Sequence, residues 1–265
     1  MSKTILITGA TDGIGFVTAQ LLLAQGHQVL IHGRNPEKLA KVEQQLGGNV
    51  SSYVADLSNL SQVAALADTI AANHSHLDVL INNAGVFSTA APRSSDGLDV
   101  RFAVNTIAPY LLTKKLLPLL STDSRVVNLA SAAQAPVDID ALTRAKAMSD
   151  NAAYAQSKLA LISWTWWLAQ QANMPLLVSV NPKSLLGSKM VQDAYGIAGG
   201  DLSIGADVLT RAALSDEFAH AHGKYFDNDI GQFAAPQPQG NDPLHATAIV
   251  EAMDQLLSRI EPRSA

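Results

Sequence analysis

Cysteine is absent from the 265 residues, which excludes a disulfide framework and a thiolate-ligated metal centre. The chain also lacks any lysine- or arginine-rich run, and its formal net charge is −5. That balance argues against nucleic acid or an anionic membrane surface as a partner. No apolar run reaches the roughly 18 residues of a membrane-spanning helix. The first strand-like run begins by Thr4, leaving no space for the charged and apolar regions of a secretory leader. The expected location is therefore cytoplasmic. Aromatic residues make up only 5% and charged residues 15%, whereas 48% are hydrophobic. Such a chain can bury a large core, and one domain over residues 1–265 is expected.

The apolar residues are organised as short runs alternating with helical patterns. Strand-like runs cover Thr4–Thr8, Gln28–His32, Val50–Ala55, Leu77–Asn82, Arg125–Ala130 and Leu176–Asn181. Helix-like segments lie near 14–25, 36–46, 59–73, 97–120 and 151–173. Nearly continuous apolar strands fit a parallel sheet covered on both faces, and the alternation predicts a doubly wound α/β fold. Asn35-Pro36 and Gly47-Gly48 carry start and stop signals for the second helix. Pro109 and Pro118 predict a kink or early end in the fourth. From 183 to 203 periodicity is lost, which predicts a mobile lid over a substrate. A helix near 204–214, a strand at Lys224-Tyr225-Phe226, a proline-rich loop over 231–242 and a helix to about Ile260 complete the chain.

Directly after the first strand the sequence reads Thr8-Gly9-Ala10-Thr11-Asp12-Gly13-Ile14-Gly15. Glycines allow a tight turn and close ligand approach, and the following helix points its N-terminal amides at the loop. That arrangement favours a phosphate. Further along, Tyr154 and Lys158 stand one helical turn apart on a common face. A free tyrosine titrates near 10. A neighbouring ammonium favours phenolate, which would make Tyr154 a better proton-transfer group at neutral pH.

The spacing Gly9-x-x-x-Gly13-x-Gly15, with Asn82-Asn83-Ala84-Gly85, Asn105, Ser131 and Tyr154-x-x-x-Lys158, resembles the single-domain branch of the short-chain dehydrogenases/reductases. The likeness implies a Rossmann-type sheet of about seven strands and a nicotinamide dinucleotide cofactor. It also implies hydride exchange with a small-molecule carbonyl or alcohol. By matching, the catalytic residues would be Asn105, Ser131, Tyr154 and Lys158. Ser131 would bind the substrate oxygen, Tyr154 would serve as general acid/base, and Lys158 would hold the cofactor ribose. Asn105 would hold a water leading to the lysine. The cofactor would be held by Gly9, Thr11, Asp12, Gly13, Ile14 and Gly15 at the first loop. Farther along, Arg34, Asn35, Asp56, Leu57, Asn83, Ala84 and Gly85 would contribute, together with Tyr154 and Lys158. Pro182, Leu185 and Ser188 would complete the site at the sixth strand.

Arg34 stands nineteen positions after Gly15, where an NAD site places an acidic residue about 20 positions on. A guanidinium suits a phosphate instead, so NADP(H) is expected over NAD(H); the alternative is an exposed arginine opening a helix. Asp56 matches an adenine-contacting aspartate or caps the next helix. The family has Pro-Gly after the sixth strand, and this chain has Pro182-Lys183, which restricts the backbone there. Lys183 is either a solvated loop lysine or a steering charge for an anionic substrate. The 23-position gap from Ser131 to Tyr154, the phrase Ile31-His32-Gly33-Arg34-Asn35 and Gly223-Lys224-Tyr225-Phe226 are similar to the retinol-dehydrogenase-type members. Hydrophobic alcohols or aldehydes follow only as analogy. A non-catalytic NADP(H)-sensing protein on the same fold is the alternative function.

The pairs His74/His76 and His220/His222 read as surface histidines, and no metal site is expected. Trp164 and Trp167 share one face of the Tyr154 helix while Trp166 points elsewhere. Those tryptophans suit core packing or an interface of a homodimer or homotetramer.

Overall fold

The computed structural model describes residues 1–260. The chain alternates strand and helix as β1 (Thr4–Ile7), α1 (Gly13–Ala24), β2 (Gln28–Gly33), α2 (Pro36–Leu46), β3 (Val50–Val54), α3 (Leu60–Asn73) and β4 (Leu77–Asn82). Next come α4 (Val100–Phe102), a π-helical turn (Ala103–Ile107), α5 (Ala108–Leu116) and β5 (Leu120–Leu129). The second half comprises α6 (Ile139–Thr143), α7 (Asp150–Ala169), β6 (Leu176–Asn181), α8 (Lys189–Tyr195), α9 (Leu202–Leu214), β7 (Lys224–Asp227), β8 (Gln232–Ala234) and α10 (Pro243–Ile260).

The strands form one sheet in the order β3-β2-β1-β4-β5-β6-β7-β8. All pairings are parallel except the last, where β8 runs antiparallel to β7. The strand count is one higher than expected, because three residues of the proline-rich loop pair with β7. Alternate strand residues feed separate cores on the two faces. Leu6, Leu30, Leu80, Val126 and Leu177 pack on one side with residues of α3, α5, α7 and α10. Ile5, Ile7, Ile31, Ile81 and Val180 pack on the other with residues of α1, α2 and α9. A strand buried on both faces needs no polar alternation, which is why these runs read as continuous apolar stretches.

Sheet order reverses between β1 and β4, so the loops after their carboxyl ends diverge and open a crevice. Buried amides lock the elements that border it. Asn82 Nδ2 donates to Thr113 Oγ1 (3.2 Å) and Asn128 Oδ1 (2.8 Å), and Asn128 Nδ2 donates to Thr165 Oγ1 (2.8 Å). This chain of contacts ties β4 and β5 to α5 and α7. Buried Arg101 of α4 pairs with Asp99 (2.6 Å) and with Asp150 at the start of α7.

Two segments depart from the sequence expectation. The single helix expected over 97–120 is broken by the π-turn and ends in a 3-10 turn at Leu117–Leu119, and Leu120 already belongs to β5, where it pairs with Leu77. Tertiary bonds hold the π-turn: Thr106 Oγ1 donates to Ser157 O (2.7 Å) and Asn105 spans to Val86. The stretch over 183–203 is also not aperiodic. It contains α8, capped by the Ser188 side chain and ended by Gly196 in the left-handed conformation. Leu185 O accepts from Gly200 N (2.8 Å) and Gly200 O from Gly187 N (2.7 Å), closing the segment on itself.

Of the three tryptophans, Trp164 is fully buried and meets Tyr110 edge-on at 5.6 Å. Trp167 Nε1 donates to Thr247 Oγ1 of α10 (3.2 Å), so both pack within the chain, while Trp166 is partly exposed on another face.

Candidate active site

The crevice is a cavity of about 500 Å³. Its floor is the turn between β1 and α1. Gly9 has φ +67° and a Cβ there would come within 2.9 Å of Ala84 Cα; one at Gly15 would lie 2.4 Å from Asn83 Nδ2. Only glycine permits this close passage. The turn is fastened from two directions, the loop after β4 and β2. Thr8 Oγ1 accepts from Asn83 N (3.0 Å) and Ala84 N (3.1 Å), and Asn83 Nδ2 donates to Thr8 O (2.8 Å) and Gly9 O (3.1 Å). From β2, His32 Nδ1 accepts from Gly9 N (3.2 Å) while its Nε2 donates to Ala55 O (3.0 Å). A carbonyl can only accept, so the neutral Nε2–H tautomer is required. Burial lowers His32 to about 4, consistent with that form.

The adenosine end expected from the sequence is bordered by exposed Arg34 at the β2 terminus and by Asp56 and Leu57 after β3. Asp56 Oδ1 accepts from Ser58 N (2.9 Å) and Ser58 Oγ (2.8 Å), whereas α3 is capped by Asn59. The helix-cap alternative for Asp56 therefore gives way to a local turn. Asn35 caps α2 by accepting from Lys38 N (2.8 Å) and does not line the cavity. Asp12 caps α1 through Gly13 N (2.8 Å) and pairs with Lys38 (2.8 Å), a bond that holds its carboxyl below the usual range. Ser188 sits across from Gly13, and Lys183 and Lys189 join the wall.

At the other end α7 presents Tyr154 and Lys158. Lys158 is buried, its Nζ donates to Leu129 O (2.5 Å) and lies 5.7 Å from the Tyr154 ring centroid. Burial pushes Lys158 down to about 7. Burial also raises Tyr154, and Ser131 opposes the rise. The expected depression of Tyr154 by the lysine is not found: burial disfavours phenolate and ammonium alike, and of the neighbouring groups only Ser131 acts to lower Tyr154. Ser131 Oγ accepts from Ala133 N (3.1 Å), which leaves its proton available to a ligand oxygen.

Asn105 is buried behind the cavity wall. Its Oδ1 accepts from Val86 N (2.8 Å), and its Nδ2 donates to Val86 O (2.9 Å) and Ser157 Oγ (3.0 Å). Ser157 Oγ in turn donates to Tyr154 O (2.7 Å). Asn105 thereby braces the turn of α7 that bears the tyrosine, rather than lining the cavity. The remaining expected residues, Thr11, Ile14, Ala84, Gly85, Pro182 and Leu185 among them, do line it. Phe87 and Tyr195 join the site without any sequence signal: Phe87 meets Tyr154 edge-on at 5.0 Å and Tyr195 of α8 in a tilted contact at 5.8 Å. Their contact links residues 108 positions apart, with no local signal to announce it. His32 and Thr8 were visible in quoted motifs, but their bonding is a tertiary property.

The family model described as short chain dehydrogenase matches residues 3–190. The chain belongs to the short-chain dehydrogenase family. Human retinol dehydrogenase 13 is 30% identical over 91% of this chain and 80% of its own length, which places the chain in the retinol-dehydrogenase-like group. Short-chain dehydrogenase chry4 of Gibberella zeae is 30% identical over 95% of this chain and 96% of its own. A crystal structure from Mycobacterium paratuberculosis superposes with a TM-score of 0.81 at 27% identity, covering 97% of this chain and 93% of that one. The chain is thus a nicotinamide-dependent oxidoreductase on a Rossmann-type doubly wound sheet. Among the described residues, no helix is long and apolar enough to cross a membrane.

Proposed function

We propose that this short-chain dehydrogenase interconverts a hydrophobic carbonyl compound and its alcohol with NADP(H), using Tyr154 as general acid/base. The observation that carries the reading is the meeting in one cavity of Ser131, Tyr154 and Lys158 with the glycine turn and Arg34.

The residues fit a dinucleotide. Gly9 and Gly15 leave a turn too tight for any Cβ, ahead of the α1 N-terminus, which attracts phosphate. Arg34, with no carboxylate partner among the described residues, offers a planar donor for a 2′-phosphate. Lys183 and Lys189 add positive charge to the same wall. A Shigella flexneri protein solved with NADP shares the fold at TM-score 0.66 and 26% identity over 85% of this chain and 96% of that one, which supports a nicotinamide dinucleotide in this crevice; the preference itself rests on Arg34.

When bound, the nicotinamide supplies or accepts the hydride. The chain's own part is orientation and proton handling. Ser131 Oγ–H donates to the substrate oxygen. Tyr154, which burial favours as a neutral phenol, donates its proton to that oxygen in reduction; in oxidation it must first pass its proton towards Lys158, and the phenolate so formed takes the alcohol proton. Lys158, held against Leu129 O, binds the ribose and restores the proton. Phe87, Met190, Val191 and Tyr195 give the substrate end an apolar lining, the basis for assigning a hydrophobic substrate. The retinol dehydrogenase relatives, and a human polyprenol dehydrogenase 35% identical over 63% of this chain and 54% of its own, support that class.

The test is NADPH oxidation with a panel of aldehydes and ketones that includes farnesal, repeated with Tyr154→Phe. Turnover by wild type and its loss in the variant are expected. A silent wild type that still binds NADPH would favour the sensing protein, and an equally active variant would remove Tyr154 from the mechanism.

A further inference from the structure

The phrase Gly223-Lys224-Tyr225-Phe226 has no part in the chemistry assigned above, yet β7 directs one of its side chains to Ser131. Tyr225 is 4% exposed, and its hydroxyl donates to Ser131 O (3.2 Å). The same carbonyl accepts from Gln134 Nε2 (3.0 Å). Gln134 is fixed in turn, because its Oε1 accepts from Gln237 N (2.7 Å). Both lone pairs of one carbonyl are therefore taken by side chains, one from the strand beyond β6 and one from the insert before α7.

Satisfying a polar group does not require this. Ser131 is partly exposed, so water could serve its carbonyl. The need arises from position. The last sheet bond on this side is Ala130 N to Val180 O (2.8 Å), after which the chain leaves the ladder, with Ala132 and Ala133 exposed. Beyond Ala130 only side chains can fix the backbone of residue 131.

We infer that Tyr225 and Gln134 are positioning residues that clamp the Ser131 carbonyl and so hold Ser131 Oγ beside the Tyr154 hydroxyl. The inference rests on the catalytic assignment of Ser131 and Tyr154 made above. Releasing the clamp lets the 131–134 turn swing and weakens the contact that opposes the burial-driven rise of Tyr154. Burial among neighbouring carboxylates raises Tyr225 itself, so it remains a donor across the working pH range.

The test uses the full chain with NADP⁺ and farnesol, comparing wild type with Tyr225→Phe and Gln134→Leu, each also made on a Ser131→Ala background. Tyr225→Phe keeps the buried ring and removes only the donor. Each single variant is expected to lower kcat about three- to tenfold, the worth of one hydrogen bond, with the KM for NADP⁺ unchanged. The rising limb of the oxidation pH profile should move to higher pH, and neither change should add to Ser131→Ala. An unaltered kcat and limb, or an equal loss on both backgrounds, would overturn the clamp. If wild type shows no turnover, or Ser131→Ala costs nothing, the catalytic assignment fails separately. The clamp is then decided by crystal structures of both variants. Displacement of Ser131 Oγ from Tyr154 with the sheet in place supports it, and an unmoved serine overturns it.

Discussion

Acidification should unfasten the glycine turn through His32. The neutral ring accepts from Gly9 and donates to Ala55, so protonation destroys the bond to Gly9 and buries a charge with no carboxylate bonded to it. Burial lowers His32 from 6.5 to about 4 in the folded chain. The unfolded chain therefore takes up the proton first, near its ordinary pKa. Stability is fully present above about pH 6.5, falls as the pH drops from there to about 4, and levels off below. The whole effect is about 3 kcal/mol, and between about pH 7.5 and pH 5 it is about 2 kcal/mol. The assay is urea unfolding at those two values for wild type and His32→Gln. The variant should be less stable at the higher pH but should lose about 2 kcal/mol less on acidification than wild type. His27 and His74 are also lowered by burial, and they act alike in both proteins. Identical pH dependence in the two would refute the assigned tautomer and its role.

Three further outcomes follow from named contacts. Arg101→Met should cost about 3–5 kcal/mol in chemical denaturation, since it leaves Asp99 buried without its partner; a loss under 1 kcal/mol would contradict that. Arg34→Asp should raise the KM for NADPH by at least about tenfold more than that for NADH, the worth of one charged contact near 1.4 kcal/mol; equal effects on both would refute the 2′-phosphate assignment. Lys183 has φ +118° where a side chain is strained, so Lys183→Gly should raise stability by about 1 kcal/mol. A fall in the unfolding midpoint would mean that the lysine side chain compensates for its backbone.

The legible parts of the chain were those written locally. The turn Gly9–Gly15, the apolar runs ending at Asn82 and Asn181, and the Tyr154/Lys158 pair each follow from a few adjacent residues. The π-turn at Ala103–Ile107 was hidden because Asn105 and Thr106 obtain it by bonding to Val86 and Ser157, far away in sequence. Helix α8 spans seven residues, too few for an apolar period to register, although Ser188 and Gly196 marked its ends. Asn35 follows Arg34 in sequence but does not line the cavity, because its side-chain oxygen accepts from Lys38 N in capping α2. The bonds of Asn105 to Val86 and Ser157, through which it braces α7, are tertiary contacts that no local pattern announces. Phe87 and Tyr195, which close the substrate end, meet only when α8 folds over the β4 loop.

The central claim is that this cavity delivers hydride from the nicotinamide to a carbonyl carbon while Tyr154 delivers the proton. The most direct measurement is farnesal reduction with NADPH deuterated at the transferring nicotinamide position, followed by mass spectrometry of the alcohol. The account predicts one deuterium at the carbinol carbon from wild type and a rate lower by about 10²–10⁴ in Tyr154→Phe. Alcohol product without the label, or an undiminished rate in the variant, would contradict it.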